Sequence, residues 1–103
     1  MTGDPAQPGA AGPEEPRWAV RLAAPAIRDL DDVAPRVTPA IIEFLFGPLA
    51  DNPHRVGKPL RDDLAGSFAA RRGSYRVLYD INDDERVVRV FRVASRASAY
   101  RRR

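Results

Sequence analysis

Residues 64–81 read Leu64-Ala-Gly-Ser-Phe-Ala-Ala-Arg-Arg-Gly-Ser-Tyr-Arg-Val-Leu-Tyr-Asp-Ile81, and the fold follows from how this stretch is read. Phe68 to Arg72 forms a short strand. Gly73-Ser74 supplies a turn, because glycine enters positive φ without a Cβ clash. Tyr75 to Ile81 returns as a second strand, rich in aromatic and β-branched residues. Along it Tyr75, Val77 and Tyr79 face one side and Arg76, Leu78 and Asp80 the other. The hairpin gathers Arg71, Arg72 and Arg76 around one turn. Like charges on paired strands repel, so the cluster is either a solvated polar face or a site for an anion.

Downstream, Asn82-Asp83-Asp84-Glu85 is a polar turn. Arg86 to Val93 (RVVRVFRV) follows as a third strand, dense enough in valine to lie inside a sheet. Upstream, residues 53–63 (PHRVGKPLRDD) show no period and read as a loop. It contains His54, the only histidine, taken as an exposed loop side chain rather than a catalytic one. Thr38-Pro39 reads as a helix N-cap with a first-turn proline. Ile41, Ile42, Leu45 and Leu49 make the apolar stripe of that helix, with Phe44 beside it. A shorter helix starts at Pro25, with Ile27, Leu30 and Val33 on one face. Arg17 to Ala23 alternates like a half-buried strand, with Trp18, Val20 and Leu22 inward.

The expected fold class is therefore α+β. Two N-terminal helices pack on one face of a roughly four-stranded, antiparallel-rich sheet, and the arginines occupy the other face. Residues 1–16 hold four prolines, three glycines and no large apolar side chain beyond Met1. They cannot bury enough surface to offset the entropy of ordering, so they read as a disordered extension before a domain over 17–103.

The 103-residue chain has a net charge of +3, unevenly spread. Residues 55–103 hold thirteen basic and six acidic side chains. That points to a polyanion, nucleic acid first, or to an acidic protein. The chain has no cysteine, which excludes disulfides and thiolate metal sites. No apolar run reaches the ~18 residues of a membrane span, and no secretory signal is evident. A cytoplasmic protein with no membrane association is expected. The terminal Arg101-Arg102-Arg103 adds attraction without specificity.

With these residues placed, the chain resembles the RelE family of toxins in the RelE/ParE toxin–antitoxin superfamily. The resemblance spans roughly residues 18–102. It is carried by Val56-Gly-Lys-Pro-Leu60, Leu64-Ala-Gly-Ser-Phe68, Arg71-Arg72-Gly73-Ser74-Tyr75-Arg76-Val77-Leu78-Tyr79, Arg92-Val93-Ala94-Ser95-Arg96 and Tyr100-Arg101. The resemblance implies a RelE-like fold and ribosome-dependent cleavage of mRNA in the A site, with no metal and no cofactor. It implies attack of an RNA 2′-OH on the scissile phosphate, with Arg71 and Arg76 stabilising that phosphate. Arg96 lies near the leaving oxygen, and Tyr100 stacks on or orients a nucleotide. Lys58, Arg61, Arg72 and Arg101 bind RNA. The partners implied are mRNA on the ribosome and a small acidic antitoxin, in a heteromer.

Two positions depart from the family pattern. Relatives often carry a basic residue where Ala69 stands and histidine where Ser95 stands, and both are candidates for proton transfer. A gyrase inhibitor of the ParE type and a catalytically weak, antitoxin-binding member are the alternatives. Arginine stays protonated at neutral pH and forks onto phosphate oxygens, which fits the electrostatic role.

Overall fold

The computed structural model describes residues 17–95. The expected extension 1–16, and Arg96, Tyr100 and Arg101, lie outside the described residues. In chain order the elements are β1 (Ala19–Leu22), α1 (Ala24–Asp31), α2 (Thr38–Phe46), α3 (Pro48–Asp51), α4 (Pro53–Val56), β2 (Lys58–Pro59), a 3-10 turn (Asp62–Leu64), β3 (Phe68–Arg72), β4 (Tyr75–Asn82) and β5 (Val87–Ser95).

The strands form one mixed sheet in the order β1-β5-β4-β3-β2. β1 runs parallel to β5 and the other pairings are antiparallel. The expected α+β architecture is present, and the four strands read from the sequence are found within two residues of their expected bounds. The sheet has a fifth strand, however, and residues 53–63 are not one loop. Lys58 and Pro59 pair with Ala69 and Phe68, and Leu60 N–H continues the ladder to Ser67 O at 2.8 Å. A two-residue strand is too short to show a period. Proline, which donates no hydrogen bond, is tolerated at this sheet edge.

The hairpin closes as read. Gly73 has φ +62°, and Ser74 is not among the positive-φ residues, the pattern of a type II′ turn. At the next turn Asn82 Oδ1 accepts the Glu85 N–H at 2.9 Å.

The helices cover one face, but the described residues hold four where two were expected: α2 ends at Phe46, so Leu49 falls on the separate α3, and α4 lies within the residues read as a loop. Two positions within the expected helices also differ. On α1, Ile27 is 51% exposed, and the inward residues are Ala26, Leu30 and Val33. That i, i+4, i+7 stripe puts the smallest side chain where α1 lies on β5, and an alanine there lets helix and sheet approach closely. On α2, Thr38 does not cap. Val37 holds the N-cap position, and the Thr38 hydroxyl donates to Ala34 O at 3.3 Å. Ile41, Phe44 and Leu45 of α2, with Leu49 of α3, join Val77, Tyr79, Val88, Val90 and Val93 in one core. Each such side chain contributes about 1.5–3 kcal/mol on full burial.

Candidate functional site

Strand alternation assigns the two sides of the sheet. Ala70, Val77, Tyr79, Val88 and Val90 are buried in the core with helix residues. Their neighbours Ala69, Arg71, Arg76, Leu78, Asp80 and Arg89 therefore project from the other side, which no described helix covers. Arg71 is the cross-strand partner of Arg76, which also lies across from Ala94. Lys58 lies across from Ala69, and Ala69 across from Leu78. The result is two parallel rows, Lys58-Ala69-Leu78 and Arg71-Arg76-Ala94, about 6.8 Å apart along the strands. Lys58 and Arg71 are exposed and Arg76 is half-buried. Among the described residues neither Lys58 nor Arg71 makes an ion pair. An anion with two oxygens to offer can bridge two guanidinium groups placed on neighbouring strands in this way.

The other expected residues do not all join them. Arg72 lies across from Tyr75, one residue on from Arg71, so its register position is on the helix side. Arg61 is exposed at the start of the 3-10 turn, in extended backbone and outside the paired strands. Arg96, Tyr100 and Arg101 are outside the described residues. Along the strands in the other direction the positive character fades. Asp80 accepts a hydrogen bond from Ser67 Oγ at 2.5 Å and pairs with Arg89 at 3.4 Å.

An irregularity in β5 sets this geometry. Leu78 lies across from Arg92, but Tyr79 lies across from Val90, so Phe91 is an extra residue in a β-bulge. The bulge brings Val90 and Val93, three apart, to the same buried side. Asp29 of α1 holds it in place. Its Oδ2 accepts the Val93 N–H at 2.8 Å and Arg92 Nε at 2.6 Å. The hydrogen bond to Asp29 pushes Arg92 further above its usual pKa, against an opposing effect of burial. Sequence reading missed Asp29, since it lies 64 residues from Val93 and stands in an unremarkable Arg28-Asp29-Leu30 context.

His54 lies elsewhere, exposed as expected but on a helix rather than in a loop. It sits on α4, with Nε2 2.7 Å from Asp83 Oδ1. Its ring meets Trp18 and Phe68 edge-on, with centroids 5.6 and 5.9 Å away. Phe68 stacks on Tyr79 at 5.7 Å, and the Arg86 guanidinium lies 4.5 Å from the Trp18 ring centroid. Trp18 is packed into the core, as its strand pattern suggested. Tyr79 is fully buried and donates to Pro53 O at 2.7 Å, and burial pushes its phenol up to about 12. Gly57 packs so tightly against this hydroxyl that a Cβ would overlap it, which fixes where Lys58 leaves the helix side.

The face can do electrostatic chemistry on a phosphodiester. Its described side chains include no histidine or cysteine, and among the described residues no His/Cys/Asp/Glu group is arranged for a metal. No described helix is long and apolar enough to cross a membrane.

Comparison with known proteins gives concordant results. The family described as "ParE toxin of type II toxin-antitoxin system, parDE" matches residues 20–100. Toxin RelG of Mycobacterium tuberculosis is 52% identical over 85 residues, 82% of this chain and 98% of that protein. Toxin RelE of the same organism is 49% identical over 84 residues, 82% of this chain and 87% of that one. The toxin–antitoxin complex RelBE2 of M. tuberculosis contains a chain 49% identical to this one. It superposes with a TM-score of 0.75, covering 77% of this chain and 98% of that one. A doubly substituted mutant of the E. coli toxin RelE in the free state, 18% identical, shares the fold with a TM-score of 0.66, covering 81% of this chain and 87% of that one.

Proposed function

Since this chain belongs to the RelE family of type II toxin–antitoxin toxins, we propose that it is a metal-independent endoribonuclease that cuts mRNA in the ribosomal A site. The observation that carries the reading is the cross-strand Arg71–Arg76 pair on the uncovered sheet face, with Lys58 one row away.

The chemistry follows from charge. The 2′-OH of one nucleotide attacks the adjacent phosphorus, the P–O5′ bond breaks, and the proton lost by the 2′-oxygen is balanced by one gained at the 5′-oxygen. The products are a 2′,3′-cyclic phosphate and a 5′-OH. Negative charge grows on the non-bridging oxygens in the transition state. Fixed guanidinium groups stabilise that charge more than the ground state. Arg71 and Arg76 fill this role, Lys58 and Arg61 hold the RNA backbone, and Arg96 and Tyr100 complete the site at the leaving oxygen and the base. Ala69, midway along the Lys58-Ala69-Leu78 row, offers no proton, so catalysis rests on electrostatics and positioning, and turnover is slow for the family.

An antitoxin is the second partner, a reading supported by the complex in which the M. tuberculosis relative is found, and the basic face calls for an acidic one. Binding would cover the basic face, and the free toxin would act in the cytoplasm.

Primer extension on translated mRNA with purified chain and ribosomes tests the reading. Cuts at codon positions, lost in Arg76→Ala, are expected. Intact mRNA, or cutting equal in parent and variant, refutes it. A gyrase inhibitor would instead block DNA supercoiling and leave the message whole.

A further inference from the structure

The uncovered side of the sheet is not uniformly charged. Ala69 and Leu78 lie side by side across β3 and β4, both half-buried. This apolar floor has Lys58 at its outer end. The Arg71–Arg76 row flanks it on one side and the Asp80–Arg89 row on the other. At its β5 end Arg92 is engaged by Asp29 at 2.6 Å, leaving its charge compensated. A merely solvated face would not need a leucine at its centre.

We propose that Ala69 and Leu78 seat one nucleoside of single-stranded RNA, whose two flanking phosphates are held by the Arg71–Arg76 pair and by Lys58. This rests on the reading of the face as an RNA site and assigns its subsites. Lys58 ends the row of the floor and the Arg71–Arg76 row lies about 6.8 Å along the strands from it, so the two cationic groups border the floor on adjacent sides. The cations converge on polyanion backbone, while leucine and alanine side chains offer contact area to a ribose or base plane. Neither side chain has a donor or acceptor for a base edge. The seat therefore fixes position with little reading of sequence, since it offers no hydrogen bond to a base edge. Discrimination among codons must come from other contacts.

A trinucleoside diphosphate has one nucleoside between two phosphates and is the smallest probe. With 2′-O-methyl groups it cannot be cut. Titration of the full chain, followed by NMR, should shift the Leu78 methyl resonances. Affinity should fall with salt at a log–log slope of about −1.4, the value for two phosphates of single-stranded nucleic acid. Leu78→Ser should weaken binding about tenfold, the effect of roughly 50 Å² of apolar contact, with the slope unchanged. Removing the central base should cost the parent a similar factor and Leu78→Ser little more, and the four central bases should agree within about threefold. The abasic comparison on the parent chain does not depend on how the variant folds.

Equal binding of abasic and intact probes, an unchanged Leu78→Ser, or no salt-dependent binding would overturn the proposal. So would a Leu78→Ser chain that keeps the oligonucleotide but loses the antitoxin, which would give the floor to a protein partner. Oligonucleotide binding as described, without ribosomal cutting, leaves the seat intact and refutes only the nuclease reading.

Discussion

Replacing Asp29 with alanine should destabilise the fold by about 3 kcal/mol, although Asp29 is a charged residue near the end of a short helix. The Asp29 side chain is only 16% exposed. Its carboxylate is the acceptor for the backbone N–H of Val93, a residue 2% exposed. Truncation leaves that N–H buried without a partner, a loss of about 1–3 kcal/mol. The Arg92 guanidinium is half in water, so its share is at most about 1 kcal/mol. Asp29→Asn keeps an acceptor for Val93 and should lose only about 1 kcal/mol, and Arg92→Ala about the same. Urea denaturation followed by fluorescence is a suitable assay. Trp18 is the only tryptophan and sits against His54 and Arg86, so unfolding changes its surroundings. With a slope of about 1 kcal/mol/M for so small a domain, the Asp29→Ala midpoint should drop by roughly 3 M. A value within about 0.5 kcal/mol of the parent, or equal loss in Asp29→Asn and Asp29→Ala, would refute the view that this carboxylate holds the bulge.

Gly57→Ala should destabilise by at least about 1 kcal/mol, because its Cβ would overlap the Tyr79 hydroxyl and lie 3.0 Å from Ala69 O. A wild-type melting curve would contradict this. Tyr79→Phe strands the Pro53 carbonyl and should lose about 1–2 kcal/mol at neutral pH. The folded phenol is raised to about 12, above its unfolded value of about 10. The protonated form is thus favoured by folding, and this stability is complete below pH ~10 and lost as pH rises toward ~12. The gap between parent and Tyr79→Phe should therefore narrow over that range in denaturation curves, and a constant gap would be inconsistent. Ala69→Lys places a cation between Lys58 and Leu78 and should speed mRNA cutting at least tenfold in the ribosome assay, provided that proton transfer limits the present rate. An unchanged rate would place the limit elsewhere.

The hairpin was legible because its signals are local. Gly73 marks the turn, and the alternation Tyr75-Arg76-Val77 separates core from cation. The same rule, carried onto β3, would have separated Arg72 from Arg71, which the charge count of the cluster had merged. Ile27 was misplaced because two helical stripes, through residue 26 or 27, both lead to Leu30 and Val33. Only contact with β5 selects the alanine. β2 was hidden by its brevity and by Pro59, and Asp29 by its distance along the chain from the bulge that it binds.

Residue order therefore determined the four longer strands and the two longer helices and that Arg71 and Arg76 would meet, since periodicity, turn chemistry and pairing across a two-residue turn act over a few positions. The folded chain decided the rest: the extra residue at Phe91, its capture by Asp29, the arrival of Lys58 beside Ala69, and the removal of His54 to a separate aromatic cluster. Each of these joins segments remote in sequence. Their relation is set by close packing in three dimensions, where one inserted residue or one missing methyl changes which side chains share a face.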